Sequence, residues 1–311
     1  MTTPYLSIVI PVHNEQEILP ILFERLTAAL DAYGKAYEVI LVNDGSRDQS
    51  AVMLDAYQKL RPAEFRIIHL NGNFGQHLAI MAGLEHIRGE IAVTLDADLQ
   101  NPPEEIAKLI DKMEAGNHDV VGGYRMDRQD SAWRIAVSKM HNWVRAKFMP
   151  RLIMKDEGCM LRAYRKSVVE LMVLSQEAST FIPALAMMYA TNPGEVGVKH
   201  EARSAGYSKY NLYALIRYNF DIITNFSLTP LHLFTLVGVV VSMLSGLLVV
   251  YMFIRRLIIG PEADGVFTLF AIVLLLISIG LLGLGIIGEY VGRIYQEVRK
   301  RPRFVIRQIV E

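Results

Sequence analysis

Two aspartates separated by one residue stand at the end of an apolar segment that has the composition of a buried β-strand. In TLDADLQNPPEEI, residues 94–106, Asp96 and Asp98 are followed by the carboxamide of Gln100. Mg²⁺ and Mn²⁺ prefer oxygen ligands and commonly bind one or two carboxylates together with phosphate oxygens of a substrate. The spacing predicts such a cation bound by Asp96, Asp98 and Gln100, beside a diphosphate. In the alternative interpretation, the two aspartates only end the strand and cap a helix that begins near Pro102.

The segments around these residues alternate between short β-branched runs and helix-length amphipathic stretches. Five runs have the composition of strands: YLSIVIPV, YEVILVND, FRIIHLN, EIAVTLDAD and HDVVGGYR. Each of the first four is followed by an amphipathic stretch, which predicts an α/β fold with a mostly parallel sheet and helices on both faces. Ligands of such sheets bind beyond the carboxyl ends of the strands. The polar segments PVHNE, NDGS, NGNFGQH and DAD lie at four of these ends and predict a nucleotide-type site there.

The hydrophobic residues, 52% of the 311, are concentrated in the last third of the chain. Residues 231–254 and 266–287 contain no Asp, Glu, Lys or Arg. At 1.5 Å per residue, each segment can cross a hydrocarbon layer of roughly 30 Å. They predict two transmembrane helices, and the alternative is a pair of buried helices in a soluble core.

The charges around these segments predict their orientation. Two spans form a hairpin, so both flanks lie on one side of the membrane. The segment GRIYQEVRKRPRFVIRQ after the second span is rich in Arg and Lys, which favours the cytoplasm, whereas Arg255 and Arg256 between the spans oppose this weakly. The prediction is a multi-pass protein of the cell inner membrane with its N-terminal domain and both termini in the cytoplasm.

The overall charge indicates what the protein does not bind. Lys and Arg together number 32, as do Asp and Glu, so a broad electrostatic attraction to nucleic acid is not indicated. Cys159 is the one cysteine of the sequence, which excludes an internal disulfide framework. We therefore expect a cytosolic, membrane-attached domain and no nucleic-acid partner.

Seven motifs of the chain resemble, in order and approximate spacing, those of the family 2 polyprenyl-phosphate glycosyltransferases, which include dolichol-phosphate mannose synthase. They are IVIPVHNE, VNDGSRDQS, NFGQH, TLDADLQNPPE, DEGCMLRAY, RSAGYSKY and GEYVGRIYQEVRKRPRF. The resemblance implies a cytoplasmic GT-A-type domain over residues 1–208, a juxtamembrane interfacial helix over 209–228, the transmembrane hairpin within 229–290 and a basic cytoplasmic tail over 291–311. It also implies a homo-oligomer, with a tetramer as the expected form. The strand-like RFVIRQIV of the tail is a candidate for pairing with another subunit's sheet edge.

The activity that this resemblance implies is inverting, metal-dependent transfer of a sugar from a UDP-sugar to undecaprenyl phosphate. NFGQH, DADLQNPPEEI, GCMLRAY and STFIP are most similar to members that transfer 4-deoxy-4-formamido-L-arabinose for lipid A modification, a part of lipopolysaccharide biosynthesis. The alternative within the class is a glucosyl, mannosyl or galactosaminyl transferase on the same lipid. The alternative from another class is a transporter or flippase subunit with a nucleotide-sensing domain, although neither span carries a charged residue that would line a path.

The resemblance also assigns residues to the donor site. It implies nucleotide binding at Pro11, Asn14, Glu15, Asp44 and Asp96, and metal and diphosphate binding at Asp96, Asp98 and Gln100. A carboxylate such as that of Asp44 can accept the imide hydrogen of uracil. Asn14 followed three residues later by Glu17 is also a helix-start signature, so capping is the alternative role for these two residues.

Arg203, Ser208 and Lys209 of RSAGYSKY are the residues that the resemblance places at the acceptor phosphate. A guanidinium fork, a hydroxyl and an ammonium group suit phosphate oxygens, and a basic loop that only attracts anionic lipid is the alternative. Asp98 and Asp156 are expected to be catalytic, and Asp156 matches the position of a catalytic base. A phosphate monoester has a second pKa of about 6 and needs little help to ionise at pH 7, so a positioning role is the alternative for Asp156.

Two amphipathic segments precede the spans. In residues 133–148, apolar side chains recur at helical spacing, which suits either a helix in the lipid interface or one packed on the sheet. The segment NLYALIRYNFDIITNF leads into the first span, and we expect it to lie along the membrane surface.

Overall fold

The computed structural model describes residues 3–126, 154–156, 158–175, 181–201, 229–260, 266–299 and 301–311. The contacts between Cα atoms divide the chain into two units. The first consists of Met1–Lys209 together with Arg301–Glu311, and the second is Tyr210–Lys300. Both predicted amphipathic segments, residues 133–148 and 209–228, lie outside the described residues.

The first unit is built on one sheet. Within the described residues it has eight strands: β1 (Leu6–Val12), β2 (Tyr37–Asn43), β3 (Phe65–Leu70), β4 (Ile91–Thr94), β5 (Val120–Arg125), β6 (Arg162–Arg165), β7 (Pro193–Val198) and β8 (Ile306–Val310). The helices are α1 (Leu19–Tyr33), α2 (Ser50–Leu60), α3 (Gln76–Leu84), α4 (Ile106–Ala115), α5 (Lys166–Leu174) and α6 (Ile182–Tyr189), and a 3₁₀ turn (Pro103–Glu105) precedes α4.

The strand order is β7-β5-β6-β4-β1-β2-β3-β8. The pairs β1–β2, β1–β4, β2–β3 and β5–β7 are parallel, whereas β4–β6, β5–β6 and β3–β8 are antiparallel. The prediction of an α/β fold with a mostly parallel sheet is confirmed, and β6 is an unpredicted antiparallel strand between β4 and β5. Because the chain runs from β1 through β2 to β3 on one side and places β4 on the other, a crevice opens beyond the carboxyl ends of β1 and β4.

Alternating side chains of the strands pack into two apolar clusters, one on each face of the sheet. Ile8 and Ile10 of β1 lie in the cluster that contains the buried residues of α1 and α4. Val9 lies in the opposite cluster, with buried residues of α3, α5 and α6. Burial on both faces explains why the parallel strands are continuous apolar runs.

The last strand pairs within the chain. β8 is antiparallel to β3 at the sheet edge, where the sequence suggested another subunit as its partner. The Glu311 carboxylate accepts hydrogen bonds from Arg66 at 2.5 Å and from Arg88 at 3.1 Å. Residues 301–311 of the predicted tail therefore belong to the first unit, because both the backbone ladder and the ion pairs hold them there.

The second unit contains two helices among its described residues, α7 (Thr229–Ile259) and α8 (Val266–Val298). Their apolar stretches, Leu231–Arg255 and Ile272–Tyr295, span 25 and 24 residues, and 0% and 6% of their most apolar windows are buried. A core helix of a soluble protein would be mostly buried, so this exposure disfavours the alternative of core helices and indicates membrane association. Gly283 of α8 lies directly against the ring of Phe234, as small residues do where helices pack closely in membranes.

Gly34 and Gly45 both have the positive φ that favours glycine. Gly34 ends α1 with φ of 74°, and Gly45 follows β2 with φ of 64°. An added Cβ at Gly34 would meet open space, whereas one at Gly45 would lie 2.5 Å from the backbone carbon of Gly72. The loops after β2 and β3 therefore pack backbone against backbone.

We expect Gly45→Ala to cost about 2–5 kcal/mol of unfolding free energy, because backbone strain and a clash with Gly72 add together. Gly34→Ala is the matched control. It has the same strain without the clash, so we expect a cost of about 1–2 kcal/mol. The measurement is denaturant unfolding of both variants in detergent. Equal costs would show that the two loops are not tightly packed.

Candidate active site

Four loops at the carboxyl ends of β1, β2, β3 and β4 line a cavity of about 250 Å³. Because these strands are parallel, their ends meet at one edge of the sheet. The lining residues are Pro11, Val12, His13, Glu15, Asp44, Asn73, Gly75, Gln76, Asp96, Ala97 and Asp98. The structure thus brings together five residues that the sequence assigned to the donor site: Pro11, Glu15, Asp44, Asp96 and Asp98.

Asp44 is only 2% exposed, and its carboxylate fixes the loop that follows β3. Oδ1 accepts the backbone N–H of Phe74 at 2.7 Å, and Oδ2 accepts that of Gly75 at 2.9 Å. A carboxylate has about four lone-pair sites, so each oxygen can accept a further hydrogen bond from a ligand. The geometry therefore suits a hydrogen-bond donor bound in the cavity.

Asn14 joins the loops after β1 and β2. Its side-chain oxygen accepts the Arg47 N–H at 2.8 Å, and its own N–H donates to the Ser46 hydroxyl at 3.1 Å. Asn14 does not line the cavity. Helix α1 begins at Leu19 and has no side-chain cap, so the alternative of capping by Asn14 or Glu17 is wrong.

The two aspartates after β4 are oriented by neighbouring amides. Gln76 Nε2 donates to Asp96 Oδ1 at 2.5 Å, and the Gln100 N–H donates to Asp98 Oδ1 at 3.1 Å. The 3₁₀ turn after Pro102 has no side-chain cap, so the alternative that these aspartates cap a helix is wrong there. Gln100 is not among the lining residues, and its carbonyl accepts the Glu201 N–H at 2.9 Å.

The chemistry of these donors fits a hard cation. The described residues contain no group of three or more His, Cys, Asp and Glu side chains that would hold a metal by themselves. Mg²⁺ commonly uses one or two carboxylates and completes its shell with water and substrate phosphates. The carboxylates of Asp96 and Asp98, which share one cavity, match that requirement.

Asp156 lies outside the lining of this cavity and forms a two-pronged ion pair with Arg125 at the end of β5. Arg125 Nε lies 2.6 Å from Oδ2 and Nη2 lies 2.8 Å from Oδ1, while the Gly158 N–H donates to Oδ1 at 3.2 Å. Asp156 is 7% exposed, so the guanidinium compensates a largely buried charge. The sequence prediction did not include Arg125, although its position at the end of a predicted strand indicated a candidate site residue.

The charges of Asp98, Asp156 and Arg125 all act on the pKa of His200. Burial and the charge of Arg125 lower its pKa, while Asp156 and Asp98 oppose this shift. Arg203, Ser208 and Lys209, the predicted acceptor residues, lie outside the described residues.

Sequence comparison identifies the family. The profile of glycosyl transferase family 2 matches residues 7–172, just over half of the chain. The chain belongs to glycosyl transferase family 2. It is 46% identical to the undecaprenyl-phosphate 4-deoxy-4-formamido-L-arabinose transferase of Edwardsiella ictaluri, over 99% of this chain and 95% of that protein. It is 48% identical to the enzyme of the same name from Yersinia enterocolitica, over 98% and 93% of the two chains.

Structural comparison finds solved proteins with a similar fold. Glucosyl-3-phosphoglycerate synthase from Mycobacterium tuberculosis, solved with Mn²⁺, UDP and phosphoglyceric acid, aligns with a TM-score of 0.53 at 15% identity. The alignment covers 71% of this chain and 76% of that one. At this identity the likeness shows the fold alone, and it confirms the predicted GT-A-type domain.

We expect Arg125→Ala to lower the free energy of unfolding by about 2–4 kcal/mol, because the Asp156 carboxylate stays buried and loses the compensating charge of the Arg125 guanidinium. The double change Arg125→Ala with Asp156→Asn should recover part of that loss. Arg61→Ala is the control: its ion pair with Asp31 spans 3.2 Å, both side chains are at least one-third exposed, and the loss should be below about 1 kcal/mol. The measurement is denaturant unfolding in detergent, and equal losses for the two single changes would contradict a buried ion pair.

Proposed function

We propose that this family 2 glycosyltransferase transfers 4-deoxy-4-formamido-L-arabinose from a UDP-linked donor to undecaprenyl phosphate, for lipid A modification. The observation that carries the proposal is the identity of 46% and 48% to transferases of that name, over almost the whole of each chain. The cavity at the carboxyl ends of β1 to β4 suits a soluble donor, and the two long apolar helices suit a lipid acceptor.

The donor nucleotide is assigned to the cavity at the ends of β1 to β4. Asp44 is held by two backbone amides and keeps acceptor sites for the imide hydrogen of uracil. Pro11, Glu15 and Asp96 line the same cavity. Asn14 supports the nucleotide site indirectly, because its side chain joins the loop after β1 to the loop after β2.

Mg²⁺ or Mn²⁺ is assigned to Asp96 and Asp98, with Gln100 as a further candidate ligand. When bound, the cation offsets the negative charge that grows on the departing UDP. Gln76 holds one oxygen of Asp96 at 2.5 Å and so limits the directions in which that carboxylate can point.

The acceptor phosphate is assigned to Arg203, Ser208 and Lys209. A phosphate oxygen attacks the anomeric carbon from the side opposite UDP, so the new C–O bond forms as the bond to UDP breaks and the configuration inverts. The lipid phosphate is mostly ionised at pH 7 and has little need of a base. The ion pair of Asp156 with Arg125 favours a positioning role for Asp156, because a carboxylate paired in this way is a poor proton acceptor.

We infer the orientation in the membrane from chain connectivity together with the charges that follow α8. Residues before α7 and after α8 belong to the same folded unit, since β8 pairs with β3. A folded domain cannot lie on both sides of a bilayer, so the hairpin must return to the side from which it started. The basic residues after α8 favour the cytoplasm for that side.

The transfer itself is tested with membranes that contain the protein, undecaprenyl phosphate and a UDP-sugar labelled in the sugar. We expect label in the lipid phase, its loss in excess chelator, and its return with Mg²⁺ or Mn²⁺. Asp98→Asn should reduce transfer at least about 100-fold, while Asp111→Asn, an exposed aspartate of α4, should not. Full transfer in excess chelator would contradict the metal assignment, and no lipid product from UDP-linked 4-deoxy-4-formamido-L-arabinose would contradict the function.

A reporter fused after Glu311 tests the orientation. At this position we expect a cytoplasm-specific reporter to be active and a periplasm-specific reporter to be inactive, because β8 is part of the cytoplasmic sheet. Fusion in the loop between α7 and α8 is the control and should give the opposite pair of results. An active periplasmic reporter after Glu311 would overturn the orientation.

A further inference from the structure

The segment that follows the second apolar helix is hydrogen-bonded to the loop after β3. In the β3–β8 ladder, Leu70 is the partner of Ile306, and the register shifts between His69 and Leu70. Beyond the shift, the Asn71 N–H donates to the Val305 carbonyl at 3.0 Å. Asn71 is the first residue of the donor loop, defined here as residues 71–75, which contributes Asn73 and Gly75 to the cavity.

The donor loop is therefore held from two sides. On the cavity side, the Asp44 carboxylate accepts the N–H groups of Phe74 and Gly75, and Gly45 packs against the backbone of Gly72. On the other side, the backbone bond to Val305 fixes the start of the loop. Movement of Val305 would be transmitted through the loop to the carboxylate that we assign to the nucleotide.

Side chains anchor the segment around Val305. Arg303 Nη2 donates to Glu85 Oε1 at 2.8 Å, and these side chains are 11% and 27% exposed. Glu85 directly follows α3, the helix whose N-terminal cap is Gly75 of the donor loop. Phe304 packs against the same apolar cluster as Phe74. One ion pair and one aromatic side chain thus fasten the segment to the helix and core that support the loop.

The connection to the membrane helices is short. Helix α8 ends at Val298, and Arg303 follows five residues later. The far end of the segment is held as well, because Glu311 pairs with Arg66 and Arg88.

We propose that residues 303–305 are positioning residues for the nucleotide donor. They hold the donor loop in the geometry that orients Asp44, so the donor site is complete only when the segment after the membrane helices is docked on β3 and α3. The inference rests on the proposed function, because it takes the ligand of the cavity to be a uridine nucleotide.

The test measures UDP binding by calorimetry on the full-length protein in detergent with Mg²⁺. Arg303→Ala and Glu85→Gln should each weaken UDP binding on the order of tenfold, because the loop loses one of its supports. The paired exchange of Arg303→Glu with Glu85→Arg should restore most of the affinity. Arg307→Ala is the matched control and should leave the affinity unchanged, because Arg307 is an exposed arginine of β8.

Kinetics and hydrogen exchange separate positioning from general loss of structure. We expect a higher donor KM with an unchanged kcat and acceptor KM, together with faster amide exchange at Phe74 in Glu85→Gln. If Arg303→Ala and Glu85→Gln bound UDP with the affinity of the wild type, this inference would be overturned, while the proposed function would stand. Absence of UDP binding by the wild type would overturn the proposed donor, and this inference with it.

Discussion

The interaction on which the donor cavity depends is the pairing of the Asp44 carboxylate with two backbone amides. Asp44 is almost fully buried at the end of β2, where an unpaired carboxylate would be costly. The N–H groups of Phe74 and Gly75 satisfy it and thereby fix the loop after β3. The loop after β1 joins the same point, because His13 Nδ1–H donates to the Asp44 carbonyl at 2.8 Å. The loops after β1, β2 and β3 therefore have fixed relative positions before any ligand binds.

A second buried carboxylate is fixed in the same way by a different partner. Asp156 is held by the Arg125 guanidinium as Asp44 is held by backbone amides, so both carboxylates are fixed without a ligand. Charges that are already oriented need little rearrangement during a reaction. The chain that follows the two long apolar helices returns to the same sheet as β8.

The sequence predicted the elements whose signals are local. The five β-branched runs became β1 to β5, and Asp44, Asp96 and Asp98 meet because carboxyl ends of parallel strands share an edge. β6 was missed because arginines stand at both of its ends, and burial of Arg162 depends on bonds to groups outside the strand, among them the carbonyls of Cys159 and Asp156 and the sulfur of Met154. The partners Arg125 and Gln76, and the choice of β3 as the edge for β8, depend on contacts between distant parts of the chain. Local patterns do not encode such contacts, and the roles of Arg203, Ser208 and Lys209 stay predictions.

The most direct test of this account compares the binding of UDP and CDP by calorimetry. If the fixed Asp44 carboxylate accepts the imide hydrogen of uracil, cytosine must be rejected, because its N3 carries a lone pair in place of that hydrogen. We expect CDP to bind at least about 100-fold more weakly than UDP, and Asp44→Asn to remove most of this preference. Equal affinity of the wild-type protein for the two nucleotides would contradict the account.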